Sequence, residues 1–212
     1  GGVQTGAVIS VSLSANTTEV SSAQLNAGVW TSLTVTATTP VQVSGTITGA
    51  IIRLNGADNV TIDGRIGGVG NNITVINNAN VTATAAIWLS STGVNAGATN
   101  NVIRNLNLSC GADQTTGTLS TFGIITSGAA ATISSAGDDN DNNQFIFNNI
   151  TKSRYGIKLR GATGNLNVNN VVSNNTIGSA ALDLNRIGKV GVYIQFQDVC
   201  SISLNTIRNI GI

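Results

Sequence analysis

The stretch IIRLNGADNVTIDG, Ile51 to Gly64, decides the fold. It reads as strand, bend, strand. In its first part Ile52 and Leu54 flank Arg53. That spacing puts two apolar side chains on one face of a short strand and a third, variable one on the other. The same triplet recurs as IWL, IIT, IKL and VYI, whose first residues are Ile87, Ile124, Ile157 and Val192. The steps from Ile52 onward are 35, 37, 33 and 35 residues. A fixed period of this size marks a chain built from stacked units, each too small to bury its own apolar side.

A second motif follows each triplet. It reads NVTIDGRI (59–66), NVIRNLNL (101–108), NQFIFNNI (143–150), NVVSNNTI (170–177) and CSISLNTI (200–207). An apolar strand gives way to a small polar residue and then to another apolar one. Asn148, Asn175 and Asn205 each stand two positions before an isoleucine. Asparagine tolerates left-handed backbone geometry and bonds the backbone at bends, so these positions are expected to form the corners. Stacked from turn to turn, such asparagines can also bond one another in a ladder.

Composition agrees. Of 212 residues, 41% are apolar and 9% charged; methionine and histidine are absent, with one proline (Pro40) and one glutamate (Glu19). Of 28 asparagines, only Asn16 and Asn26 lie in the first fifty residues. β-branched residues favour strands, Gly and Asn supply bends, and no long 3.6-residue stripe appears, so the chain is read as all-β. The low charge with ample Val and Ile argues against disorder. A formal net charge of +1 offers no field to draw nucleic acid or an acidic membrane surface. No apolar run approaches the roughly 18 residues of a membrane-spanning helix, so no transmembrane segment is expected. The Gly-Gly start and the RNIGI end suggest a segment of a longer protein.

Strand, Asn bend and strand, repeated without room for helices, describe a right-handed parallel β-helix. Residues 50–212 are read as its regular turns, expected to continue beyond the segment. Loops are inserted at Ser109 to Thr121, Ser127 to Asn142 and Gly178 to Gly188. Residues 1–49 alternate as strands buried on one face do, in ISVSLS, SLTVTAT and VQVSGTITG. They are read as opening turns with an N-terminal β cap, since an uncovered solenoid end is an open edge.

The segments IIRLNGADNVTIDG, NNVIRNLNL and NNQFIFNNI resemble β-helix repeats in very large secreted or surface-displayed proteins of Bacteroidetes bacteria. The resemblance covers roughly residues 50 to 212. It implies a secreted or bacterial cell-surface location, with export by the type IX secretion system and contact with that secretion machinery. The C-terminal sorting domain that such proteins often carry is not in this sequence, so the export route is only implied.

Several residues invite a functional reading, each beside a plainer one. Asp63 could be a catalytic acid. Glycoside chemistry, however, wants two carboxylates, and the equivalent positions, aligned as Arg104 and Asn174, are not acidic. Asp63 is therefore expected to cap the bend before Gly64. In DDNDNN, Asp139, Asp141 and Asn143 alternate like the first ligands of a calcium loop. The glycine and glutamate that complete such a loop are missing; the plainer reading is an Asx-rich turn. KSRYGIKLR gathers Lys152, Arg154, Lys158 and Arg160, four of the ten basic residues. Lys158 and Arg160 share a strand face and could meet an anionic polysaccharide, or simply pair with Asp138, Asp139 and Asp141.

The outward residues of the triplets form a column, Arg53, Trp88, Ile125, Lys158 and Tyr193. With turns about 4.8 Å apart this is a continuous stripe, aromatic and apolar for an outer face. It is the best candidate for a carbohydrate or cell-surface partner, unless inserted loops bury it. Cys110 and Cys200 fall about three turns apart, too far for a disulfide. The function expected is a non-enzymatic stalk or adhesion segment. The alternatives are a lyase or hydrolase acting on acidic polysaccharide, with calcium as its cofactor at the acidic loop, and a glycan-binding module. No other cofactor is expected.

Overall fold

The computed structural model describes residues 4–111, 119–128 and 135–211. They form 22 strands and no helix. The first turn comprises β1 (Val8–Leu13), β2 (Thr17–Glu19) and β3 (Ala23–Asn26); the second, β4 (Ser32–Ala37), β5 (Val41–Gly45) and β6 (Gly49–Asn55). The third comprises β7 (Val60–Asp63), β8 (Ile73–Asn77) and β9 (Thr84–Ser90); the fourth, β10 (Val102–Arg104), β11 (Leu106–Cys110) and β12 (Thr121–Ser127). The fifth has β13 (Gln144–Ile146), β14 (Asn149–Thr151) and β15 (Tyr155–Arg160). The sixth has β16 (Asn167–Val168), β17 (Val171–Ser173), β18 (Thr176–Ile177) and β19 (Val190–Gln195). β20 (Gln197–Asp198), β21 (Ser201–Ser203) and β22 (Thr206–Ile207) follow.

Corresponding strands of successive turns stack in parallel into three long sheets. The first sheet runs β1-β4-β7-β10-β13-β17-β21, the second β2-β5-β8-β11-β14-β18-β22, and the third β3-β6-β9-β12-β15-β19. β16 and β20 make a small fourth pair. This is a parallel β-helix. Its core is the space the three sheets enclose, filled by residues such as Ile62, Leu108, Phe145, Ile150 and Leu159. Gly123, Gly156 and Gly191 make room there. A Cβ on each would lie 2.3, 2.6 and 2.6 Å from the Cγ2 of Ile150, Ile177 and Ile207, so a side chain at these three places would collide with the second sheet.

The triplets of the sequence repeat are the third sheet, and the second motif is the first sheet with its corner into the second. One detail differs from expectation. At the corner from first to second sheet the left-handed residues are Asn105, Phe147, Asn174 and Leu204, with φ of 56°, 58°, 56° and 56°. Phe147, Asn174 and Leu204 each stand just before an asparagine expected to carry that geometry. Asn148, Asn175 and Asn205 instead turn their carboxamides inward and form the ladder. Asn148 Nδ2 donates to Asn175 Oδ1 (3.1 Å), and Asn175 Nδ2 to Asn205 Oδ1 (2.9 Å). A second file lies at the corner from third to first sheet. There the oxygens of Asn101, Asn143 and Asn170 accept the backbone N–H groups of Val60, Asn101 and Asn143. The cause is shared: corner backbone groups cannot pair in a sheet, and buried ones must find partners.

Residues 1–49 open the coil. β1 to β5 join the same sheets in parallel register, Val8 opposite Ser32 and Thr17 opposite Val43, and β5 pairs with β8. These strands are therefore full turns. A cavity of about 350 Å³ opens inside the first ones, lined by Leu13, Leu25 and Leu33 among others. Much of the Ser109–Thr121 and Ser127–Asn142 insertions lies outside the described residues.

Candidate functional site: the outer stripe of the third sheet

Strand alternation sends Arg53, Trp88, Ile125, Lys158 and Tyr193 away from the core. The register stacks them as expected: Arg53 opposite Trp88, Trp88 opposite Ile125, Ile125 opposite Lys158, Lys158 opposite Tyr193. The stripe is not an open face throughout. Trp88 is 3% exposed, Ile125 is fully buried and Lys158 is 8% exposed, whereas Tyr193 at the far end is 38% exposed. Trp88 and Ile125 join Ala50, Ala85 and Phe122 in an apolar cluster separate from the main core.

The two halves of the stripe differ chemically. In the first, the Arg53 guanidinium lies 4.0 Å from the Trp88 ring centroid, and its Nε donates to Ser90 Oγ (2.9 Å). Trp88 Nε1 donates to Ser127 Oγ (2.7 Å). These polar groups satisfy one another.

In the second half, the Lys158 ammonium sits among three rings, 5.5 Å from the centroid of Phe122, 5.8 Å from Tyr155 and 5.3 Å from Tyr193. Phe122 and Tyr155 stack at 5.2 Å, and Tyr155 meets Tyr193 edge-on at 6.2 Å. Burial, with a smaller contribution from the Arg160 charge, pulls Lys158 below its ordinary value. Arg160 shares its strand face, and the buried Nε of Arg160 has no hydrogen-bond partner among the described residues. Among the described residues the ion pairs join Asp63 to Arg65 and to Arg104. The expected pairing of Lys158 and Arg160 with Asp138, Asp139 and Asp141 does not occur.

Sequence reasoning missed Phe122 and Tyr155. The signal was present, because they stand opposite one another in register, two places before Ile124 and Ile157. Their rings lie three residues before Ile125 and Lys158, outside the simple alternation that a triplet reveals.

In the acidic loop the three residues read as calcium ligands do not converge. Asn143 is buried in the second asparagine file, its oxygen on Asn101 N–H (3.0 Å) and its Nδ2 on the Ala98 carbonyl (2.9 Å). It is thereby turned from Asp139 and Asp141. Asp141 Oδ1 accepts Val168 N–H (2.8 Å). Burial first, and the neighbouring Asp139 and Asp138, push its carboxyl up against that bond. No group of three or more acidic or thiol side chains suited to a metal occurs among the described residues.

Asp63 is 7% exposed and stands in register with Arg104, and that column continues through Ile146 to Ser173, not Asn174. It holds Arg65 through both oxygens (2.8 to 3.1 Å) and Arg104 through Oδ2 (2.9 Å). Its Oδ1 also accepts Arg65 N–H (3.1 Å), which closes the bend around Gly64. Burial would raise this carboxyl, but the Arg65 bonds and the Arg104 and Arg65 charges outweigh it and hold it below the usual value. Both cysteines are free. Compared with known proteins, the chain matches no family model, no curated protein and no solved structure at a significant level.

Proposed function

We propose that this chain is a rigid, non-enzymatic segment of a secreted or surface-displayed bacterial protein, a stalk whose outer stripe makes contacts. The observation that carries the reading is the continuity of the asparagine files. Asn101, Asn143 and Asn170 at one corner, with Asn148, Asn175 and Asn205 at another, tie successive turns together from the third onward by side-chain bonds to backbone. A coil stitched in this way resists extension and bending. Its stability is shared between neighbouring turns, as a load-carrying spacer requires.

The carboxylates support the same reading. Glycoside cleavage uses two carboxyl groups about 5 to 10 Å apart, one of them raised so that it can give up a proton. Asp63 faces arginines and is lowered, so it fits an ion-pair anchor and not a general acid. Export by type IX secretion remains part of the proposal through the sequence resemblance. No helix among the described residues is long and apolar enough to cross a membrane.

The test is twofold. Antibodies raised to this segment should label intact cells of the source bacterium, and the purified segment should leave pectin and alginate uncut with and without calcium. Labelling that requires lysis would overturn the location, and turnover would overturn the non-enzymatic role.

A further inference from the structure

We infer that the Tyr193 end of the outer stripe binds an acidic saccharide, a pyranose carrying a carboxylate or sulfate, at Lys158, Arg160 and Tyr193. The inference rests on reading the stripe as a contact face. It does not depend on export or on the stalk role.

The argument starts from charge. An ammonium at 8% exposure normally has an anionic partner, because taking a lone charge out of water is costly. Lys158 has none among the described residues. Its neighbours are three aromatic rings, which offset part of the cost and hold the ammonium in one place. Arg160 lies two residues along, roughly 7 Å away on the same face, and among the described residues it also lacks a carboxylate. Two unneutralised cations at this spacing form a receptor for one anionic group.

The surroundings favour a sugar over an acidic peptide. Tyr193 stands opposite Lys158 in the next turn and Gln195 stands opposite Arg160. The four side chains make a block about 5 by 7 Å. One side of it offers an exposed phenol ring, which can lie against the flat apolar face of a pyranose. The other offers a guanidinium and a carboxamide for hydroxyl and acid groups. The other end of the stripe cannot do this, since Arg53 and Trp88 are already spent on each other, on Ser90 and on Ser127.

The experiment is calorimetric titration of the segment with four probes: a galacturonate hexamer, a sulfated hexasaccharide, a neutral hexamer of glucose and a hexaglutamate peptide. Binding of at least one acidic saccharide is expected, with the neutral hexamer at least about tenfold weaker. Lys158→Met, Arg160→Gln and Tyr193→Ala should each weaken it about tenfold or more, and Arg53→Gln should not. Thermal melting reports whether each variant folds; Arg160 and Tyr193 are partly exposed, so their variants keep the test decisive if Lys158→Met misfolds. Comparing the two acidic probes tells carboxylate from sulfate. No binding of either acidic saccharide, equal binding of hexaglutamate, or unchanged affinity in folded Arg160→Gln and Tyr193→Ala would overturn the inference. A neutral glycan bound through Tyr193 alone would overturn it too, while leaving a contact face in place.

Discussion

The carboxamide oxygen of Asn175 accepts two hydrogen bonds from Asn148 in the preceding turn, one from its backbone N–H (2.9 Å) and one from its Nδ2 (3.1 Å). Asn148 in turn accepts Leu106 N–H (3.1 Å) and donates to the Ile103 carbonyl (2.9 Å). Replacing Asn148 by Ala strands the Leu106 N–H and the Ile103 carbonyl of the preceding turn, each costing about 1–3 kcal/mol when buried and unpaired, while the backbone N–H of residue 148 keeps its bond to Asn175. Asn148→Ala is expected to lower unfolding free energy by about 3 kcal/mol. Asn149→Ala, next door but facing water, should change it by less than about 0.5 kcal/mol. Urea unfolding of both variants checks this. Equal midpoints would mean that the ladder contributes little.

Asp63 makes stability depend on acid. Its folded carboxyl lies below the ordinary value near 3.9. Its contribution is therefore present above that pH and lost as pH falls toward and through the folded value. Asp141 acts in the opposite sense: its carboxyl is raised, so its ionised form costs stability at neutral pH and protonation relieves it. Asp63→Asn should lower stability at pH 7 by about 2 kcal/mol and flatten the acid limb below about pH 4. Asp141→Asn keeps an acceptor for Val168 and should raise stability at pH 7. Melting temperatures from pH 2 to 7 separate the two.

Gly64 is held by close approach. A Cβ there would lie 1.9 Å from the Asn105 carbonyl oxygen in the next turn, a backbone atom that cannot move aside alone. Gly93 meets nothing within 4 Å. Gly64→Ala is expected to cost about 2 kcal/mol or more, as overpacking does. Gly93→Ala should be neutral or slightly stabilising. Similar melting temperatures for the two variants would contradict the turn spacing described here.

The thiols should differ in reach. Burial pushes Cys110 up to about 12, against smaller opposing contacts from Thr84 and the Phe122 backbone. Cys200 is also raised by burial, but it is only partly buried. With Ellman's reagent at pH 8, Cys200 should react in the native protein and Cys110 only as fast as the protein unfolds. Two thiols should be counted in urea. Rapid reaction of both without denaturant would place Cys110 elsewhere.

Much of this was legible from residue order. The triplet spacing named the third sheet and stacked Arg53, Trp88, Ile125, Lys158 and Tyr193 in the observed register, because each turn must present the same face to its neighbour. The asparagines were recognised as corner residues, but their division of labour was not. A left-handed residue and the ladder asparagine after it sit side by side, and Phe147 and Leu204 show that φ is imposed by the coil and not by residue type. Asn143 is held apart from Asp139 and Asp141 for the same reason. Local spacing resembled a metal loop, while stacking needed its carboxamide inside.

What the sequence by itself determined is the periodic part: strands, corners and columns, which follow from apolar spacing and the 4.8 Å step between turns. Only the tertiary structure decided exposure and charge pairing. Whether Trp88 faces water, whether Lys158 meets an acid, and which groups neutralise Asp63 depend on side chains about 30 to 40 residues away in neighbouring turns. Burial and electrostatics are set by everything that surrounds a group in space, and a one-dimensional repeat records only which groups share a column.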